Sequence, residues 1–79
     1  MAGIPKPRPS ILDNCLFDGI EGGRKVYKDP REYIYYTWDS LHGELEVFNK
    51  QGLHLGAADP RTGSMTKPAV RGRKIAKRN

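Results

Sequence analysis

Nine glycines and six prolines are spread through these 79 residues, and they constrain the fold more than any other feature. They cut the chain into short segments bounded by turns, the pattern of antiparallel β structure rather than of a helical bundle. Arg24–Lys28 is a short strand candidate stopped by Asp29-Pro30. Tyr33–Trp38, an unbroken aromatic and β-branched run, is the strongest strand signal. Glu44–Phe48 follows, then a hairpin turn at Lys50-Gln51-Gly52, and Leu53–Ala57 pairs back. Asp59-Pro60-Arg61-Thr62-Gly63 is a second turn, with Pro and Gly at favoured positions. Val70–Ala76 is expected to add a last strand.

The N-terminal part reads differently. Residues 3–9 hold three prolines, each fixing φ and removing a donor, so they form an extended arm. Ser10–Phe17 is expected to form a short helix, with Ser10 as N-cap and Asp13 closing a capping box. Gly19, Gly22 and Gly23 then break the chain. The expectation is one domain over 1–79, mainly β (α+β). Residues 1–23 are arm and short helix, and 24–79 are an antiparallel sheet of four to six strands with a basic tail.

A chain this short buries only about 60% of its unfolded surface, so polar contacts must share in stability. Its single cysteine, Cys15, closes no internal disulfide. No apolar run approaches the ~20 residues of a membrane span, and Met1–Ser10 lacks the apolar core of a signal peptide. Charge is more informative. The net charge is +5, and beyond Asp59 the chain carries seven of its 14 basic residues and no acidic one. Such a stripe is the electrostatic footprint of a nucleic-acid binder or, alternatively, a solvated tail.

Chemistry concentrates in Asp39-Ser40-Leu41-His42-Gly43-Glu44-Leu45-Glu46. Alternation along a strand puts His42, Glu44 and Glu46 on one face and Leu45 and Val47 on the other. A turn at Ser40-Leu41 brings Asp39 back beside His42. One imidazole and several carboxylates on an exposed face suit RNA cleavage by internal attack: a base takes the ribose 2′-hydroxyl proton and an acid supplies one to the 5′-oxygen. His42 and Glu46 can each fill either role, Asp39 orients the imidazole, and an arginine fork fits the phosphorane. A solvated polar edge is the competing reading. The metal-ligand spacings HxxEH and CxxC are missing, so neither metal nor cofactor is expected. His54, between Leu53 and Leu55, is assigned to sheet support.

The run Tyr36–Glu46, with Gly52-Leu53-His54-Leu55-Gly56, Asp59–Gly63, Gly3-Ile4-Pro5-Lys6-Pro7, Gly22–Lys25 and Arg73-Lys74-Ile75, resembles the C-terminal cytotoxic ribonuclease domain of the ribosome-inactivating colicins and cloacin, and related contact-dependent inhibition toxins. The resemblance implies a strongly twisted antiparallel sheet and a metal-independent endoribonuclease. It implies a single cut in the 16S rRNA of the 30S ribosomal subunit, in the decoding centre. Asp39, His42, Glu46 and Arg73 fall on the family's catalytic residues, and Tyr36, Glu44 and Lys67 on residues near its site. Lys74, Lys77 and Arg78, around Arg73 in the basic tail, are further RNA-contact candidates. The resemblance also implies delivery by a producing bacterium within a larger toxin, action in the target-cell cytoplasm as a monomer, and a cognate immunity protein. Against a basic toxin that partner is expected to be acidic.

The alternative function is a non-catalytic RNA-binding module of ribosomal type, and a weaker one is an inactive interaction domain. Carboxylates amid a basic surface repel phosphate and have no purpose in a pure binder, so Asp39, His42 and Glu46 discriminate.

Overall fold

Where the turn residues cut the chain, the strands start and stop. A computed structural model describes residues 3–78. Ser10 opens a single 3-10 turn, Ile11–Asn14, through the expected capping box: its hydroxyl accepts from Leu12 N–H and Asp13 accepts from Ser10 N–H. Six strands follow: β1 (Leu16–Glu21), β2 (Arg24–Lys28), β3 (Ile34–Asp39), β4 (Glu44–Asn49), β5 (His54–Ala58) and β6 (Met65–Pro68). Each pairs antiparallel with the next, giving one sheet in chain order. The protein is mainly β, at the upper end of the expected strand count.

Three local expectations are corrected. The helix stops at Asn14, and Leu16–Glu21 is a strand, so the sheet begins before Arg24. Gly19, at φ +123°, sits at a register shift against β2 and bends this edge strand without ending it. The last strand is Met65–Pro68 rather than Val70–Ala76, which touches the sheet ladder only at the Leu53–Lys74 bridge.

Both faces of the sheet are used. On one, Leu45, Val47 and Ala58 pack with Leu12 from the 3-10 turn, flanked by Tyr27, Tyr36 and Trp38. The arm is fastened there by Ile4 N–H to Ser40 O (2.7 Å) and Trp38 Nε1–H to Ile4 O (2.9 Å). On the other face, Val26, Tyr35 and Phe48 form a second small core covered by Ile75 of the C-terminal segment. That segment crosses the face as a strap. Ile75 N–H donates to Gly52 O, and a Cβ on Gly52 would collide with Ile75 O, so only glycine admits the strap there. Arg78 latches its end to β1, donating from Nε to Asp18 Oδ2 (2.9 Å) and from the two terminal nitrogens to Glu21 Oε1 (3.0 Å) and Asp18 O (2.9 Å). Among the described residues no helix is long and apolar enough to cross a membrane.

Candidate active site

The strap leaves part of its face open. Register places Thr37 opposite Glu46, Asp39 opposite Glu44, Glu46 opposite Ala57 and Ala57 opposite Lys67, so these side chains share a face. An open groove of about 510 Å³ lies over them, closed on one side by Val70, Arg73 and Lys74.

The β3–β4 hairpin positions the first pair. Gly43 N–H donates to Asp39 O (2.8 Å), and Gly43 adopts φ +70°, which favours glycine. Inside this turn Asp39 Oδ1 accepts from the N–H groups of Leu41 (3.0 Å) and His42 (3.3 Å), and Oδ2 lies 2.8 Å from His42 Nδ1. Burial pushes the Asp39 carboxyl up, but the His42 ring and the two backbone donors outweigh it and hold it below the usual carboxylate range. An ionised Asp39 requires Nδ1–H as donor, so Nε2 is the nitrogen left for chemistry. The His42 side chain is 55% exposed while Asp39 is 10% exposed: the carboxylate is buried and the ring it holds faces outward.

Glu46, in the middle of β4, is buried, with its side chain 6% exposed. Arg73 of the strap donates from NH1 to Oε1 at 2.7 Å. His54 Nε2 lies 2.8 Å from the same oxygen, off the line of a hydrogen bond. Val70 N–H donates to His54 Nδ1 (2.9 Å), so the ring carries its proton on Nε2, facing Glu46. Among the described residues Oε2 of Glu46 has no protein hydrogen bond.

Glu44 pairs with Lys67 (2.8 Å) and accepts from the Thr66 hydroxyl (2.8 Å). The Lys67 and Thr66 bonds hold its carboxyl below the usual range, and the Glu44 bond raises Lys67 in turn. Among the described residues no three His, Cys, Asp or Glu side chains are grouped as metal ligands.

The family model described as Cytotoxic matches residues 13–76, most of the chain. The chain belongs to this Cytotoxic family. Its relatives include three Escherichia coli proteins. Colicin E3 is 42% identical over 66 residues, covering 82% of this chain and 12% of the relative. Cloacin is 49% identical over 49 residues, 58% of this chain and 9% of the relative. Colicin-E6 is 45% identical over a stretch of the same length and coverage. The chain thus spans about a tenth of the length of the curated relatives it matches.

Within this Cytotoxic-family chain the groove gathers seven of the eight residues expected from sequence: Asp39, His42, Glu44, Glu46, Lys67, Arg73 and Lys74. The eighth, Tyr36, is not among them. It projects from the opposite face, beside Ile11, Asn14 and Cys15, because β3 alternates and Tyr36 is out of phase with Thr37 and Asp39. Burial first, and then Asp29, raises its phenol pKa. His54 is the residue that sequence reasoning placed in the sheet and left out of the site. It does belong to the sheet, yet its ring touches Glu46. Phe48 opposes His54 across a register shift between β4 and β5, so strand alternation from Glu46 does not reach it. No sequence signal marks His54: in Leu53-His54-Leu55 the histidine is the buried residue and the two leucines are exposed, the reverse of what hydropathy suggests. Arg78, one of the basic tail residues, is committed to Asp18 and Glu21 and is not free for phosphate.

Proposed function

We propose that this domain is an endoribonuclease that cuts 16S rRNA in the decoding centre of the small ribosomal subunit by metal-independent acid–base chemistry. The observation that carries the proposal is the groove itself, where an Asp39-held imidazole and an Arg73-held carboxylate face one opening on a basic protein.

Oε2 of Glu46 takes the 2′-hydroxyl proton, and the resulting oxygen attacks the adjacent phosphorus. Arg73 has donors left beyond the one on Glu46, and these face the extra charge of the phosphorane. His42 gives its Nε2 proton to the departing 5′-oxygen. The products are a 2′,3′-cyclic phosphate and a 5′-hydroxyl, with the proton removed by Glu46 balanced by the one His42 donates. General acid–base help of this kind contributes about 10²–10⁴-fold in rate. His54 is a positioning residue that fixes Glu46. Lys67 and Lys74 supply positive charge at the rim.

The site lies within a chain that matches about a tenth of each relative. Delivery from a producing bacterium within a larger toxin, action in the target-cell cytoplasm and masking by an acidic immunity protein belong to the same proposal. Leu16, Phe17 and Ile20 are each about 60% exposed on edge strand β1 and offer that partner an apolar contact away from the groove.

The test is incubation of the protein with intact ribosomes, with and without EDTA, followed by a denaturing RNA gel. One discrete small-subunit fragment in both conditions is expected. Intact rRNA at equimolar protein and ribosome overturns the proposal, and cleavage that requires added metal overturns its mechanism.

A further inference from the structure

The groove over the catalytic residues shares one lining residue, Arg24, with a second groove of about 240 Å³. The second groove opens at the end of β2 and is lined by Lys6 of the arm, Arg24, Lys25, Tyr27, Trp38 and Ser40. Its chemistry differs from that of the first. No carboxylate lines it, and three cations alternate with two aromatic rings and a hydroxyl. Lys6, Arg24 and Lys25 are all exposed. Lys6 Nζ donates to the Tyr27 hydroxyl (2.9 Å) and stands 5.1 Å from the centre of its ring, a surface contact easily exchanged for another anion or π face. Trp38 is pinned along its edge by its bond to Ile4 O, and the indole, half-buried against the first core, contributes the rest of its surface to this groove.

We propose that this second groove holds the single-stranded RNA that flanks the cleaved phosphate. The inference rests on the ribonuclease reading above. A strand leaving the catalytic groove meets Arg24, passes around the end of β2 and enters a channel where Lys6 and Lys25 face phosphates and Tyr27 and Trp38 face bases. Cationic grooves with aromatic platforms are how proteins hold single strands, because every base has a π face. The rings can be reached only by bases that are splayed out, which single-stranded RNA permits and a duplex does not. An acidic polypeptide would satisfy the cations but leave both rings without a partner.

Trp38 is the single tryptophan of the chain, so intrinsic fluorescence reads this groove directly. His42→Ala protein, which binds without turning over, is titrated with a single-stranded oligouridylate and, separately, with polyglutamate. RNA is expected to quench the fluorescence, with affinity falling steeply with salt. Lys6→Ala/Lys25→Ala should weaken binding at least tenfold. It should also reduce the slope of log affinity against log salt by about 1.4, at ~0.7 per phosphate contact on a single strand. In otherwise native protein the same double variant should raise KM for ribosome cleavage with kcat and melting temperature unchanged, a split that a merely structural role would not produce. Cleavage with unaltered quenching, salt slope and KM in the double variant overturns the groove and leaves the ribonuclease reading intact. Quenching lost in the double variant, on a protein that cuts no ribosome, supports the groove and overturns the ribonuclease reading. Quenching by polyglutamate with none by RNA overturns the assignment in favour of an acidic protein partner.

Discussion

Asp39→Asn is the substitution whose consequence follows most directly from atomic positions. Asparagine has the shape of aspartate, so its oxygen can keep the two backbone bonds from Leu41 and His42 that Oδ1 accepts. Only the third contact, Oδ2 to His42 Nδ1 at 2.8 Å, changes character. An amide there donates instead of accepting, so Nδ1 must give up its proton and Nε2 must take it. A charge-assisted bond worth about 1.5–3 kcal/mol becomes a neutral one worth about 0.5–1.5, and the fold should lose only about 1–1.5 kcal/mol. The activity should fall much further, by about 10²–10⁴-fold. As a general acid the ring needs both nitrogens protonated, which the amide opposes. As a general base it needs a bare Nε2, which the amide removes. The loss is therefore the same whichever role His42 plays. The assay pairs single-turnover rRNA cleavage with nitrogen NMR of the imidazole, which distinguishes the two tautomers. A variant that cleaves at the parent rate with Nδ1 still protonated would refute the reasoning.

Arg73→Lys keeps a charge near Glu46 but loses the fork; cleavage should drop at least tenfold with little change in melting temperature, by the same gel assay and by circular dichroism. Asp39 and Glu44 are both depressed in the folded state, so their stabilisation is present above the unfolded carboxylate values, about 4, and is lost as pH falls through the lower folded values. Thermal melts from pH 6 to 3 should show that fall, and Asp39→Asn should flatten it. Gly52→Ala places a Cβ against Ile75 O at φ +86°, and should destabilise by about 2–4 kcal/mol in urea titration while freeing the strap. Hydrogen exchange of the complex with the immunity protein should show protection at Leu16–Glu21; protection confined to Asp39–Glu46 and Arg73 would place that partner over the groove instead.

Strands β2 to β5 were readable because each combines alternation with a turn signal at its ends, and β3 adds an aromatic run. The strand at Leu16–Glu21 was not, because nothing in it alternates: its three apolar residues, Leu16, Phe17 and Ile20, do not fall on every second position, and the capping box just before it argues for helix. Met65–Pro68 is wholly exposed and ends in proline, so it carries no burial signal. Val70–Ala76 has strand composition but lies over the sheet instead of beside it, a tertiary outcome decided by Gly52 and Arg78. Within the site, Asp39, His42, Glu44 and Glu46 were legible together because a hairpin folds an eight-residue window onto itself. Arg73 comes from 27 residues further on and was visible only through family resemblance. Tyr36 shows the opposite case, where resemblance placed a residue at the site and simple strand parity, available from sequence, puts it on the other face.

A basic surface that must also hold carboxylates faces a conflict, since each carboxylate repels the phosphate the surface attracts. The groove resolves it locally. Asp39 is matched by His42, Glu44 by Lys67 and Glu46 by Arg73, each at 2.7–2.8 Å. In the proposed reaction the incoming phosphate then meets two ion pairs, Glu44–Lys67 and Glu46–Arg73, whose charges cancel, and a buried Asp39 screened by the His42 ring, against a background of excess Lys and Arg. Arg73 has the hardest part in that proposed reaction, because the same side chain must neutralise Glu46 and receive the phosphorane. Only its NH1 is used on Glu46, and half its side chain is exposed, so planar donors remain to face the groove. A lysine ammonium would have to divide one point charge between the two. Because Arg73 rides on the strap, its reach depends on Gly52 and on the Arg78 latch, each remote from the reacting atoms. That ties formation of the second core to assembly of the site: the strap that covers Tyr35 and Phe48 is also the element that delivers the arginine.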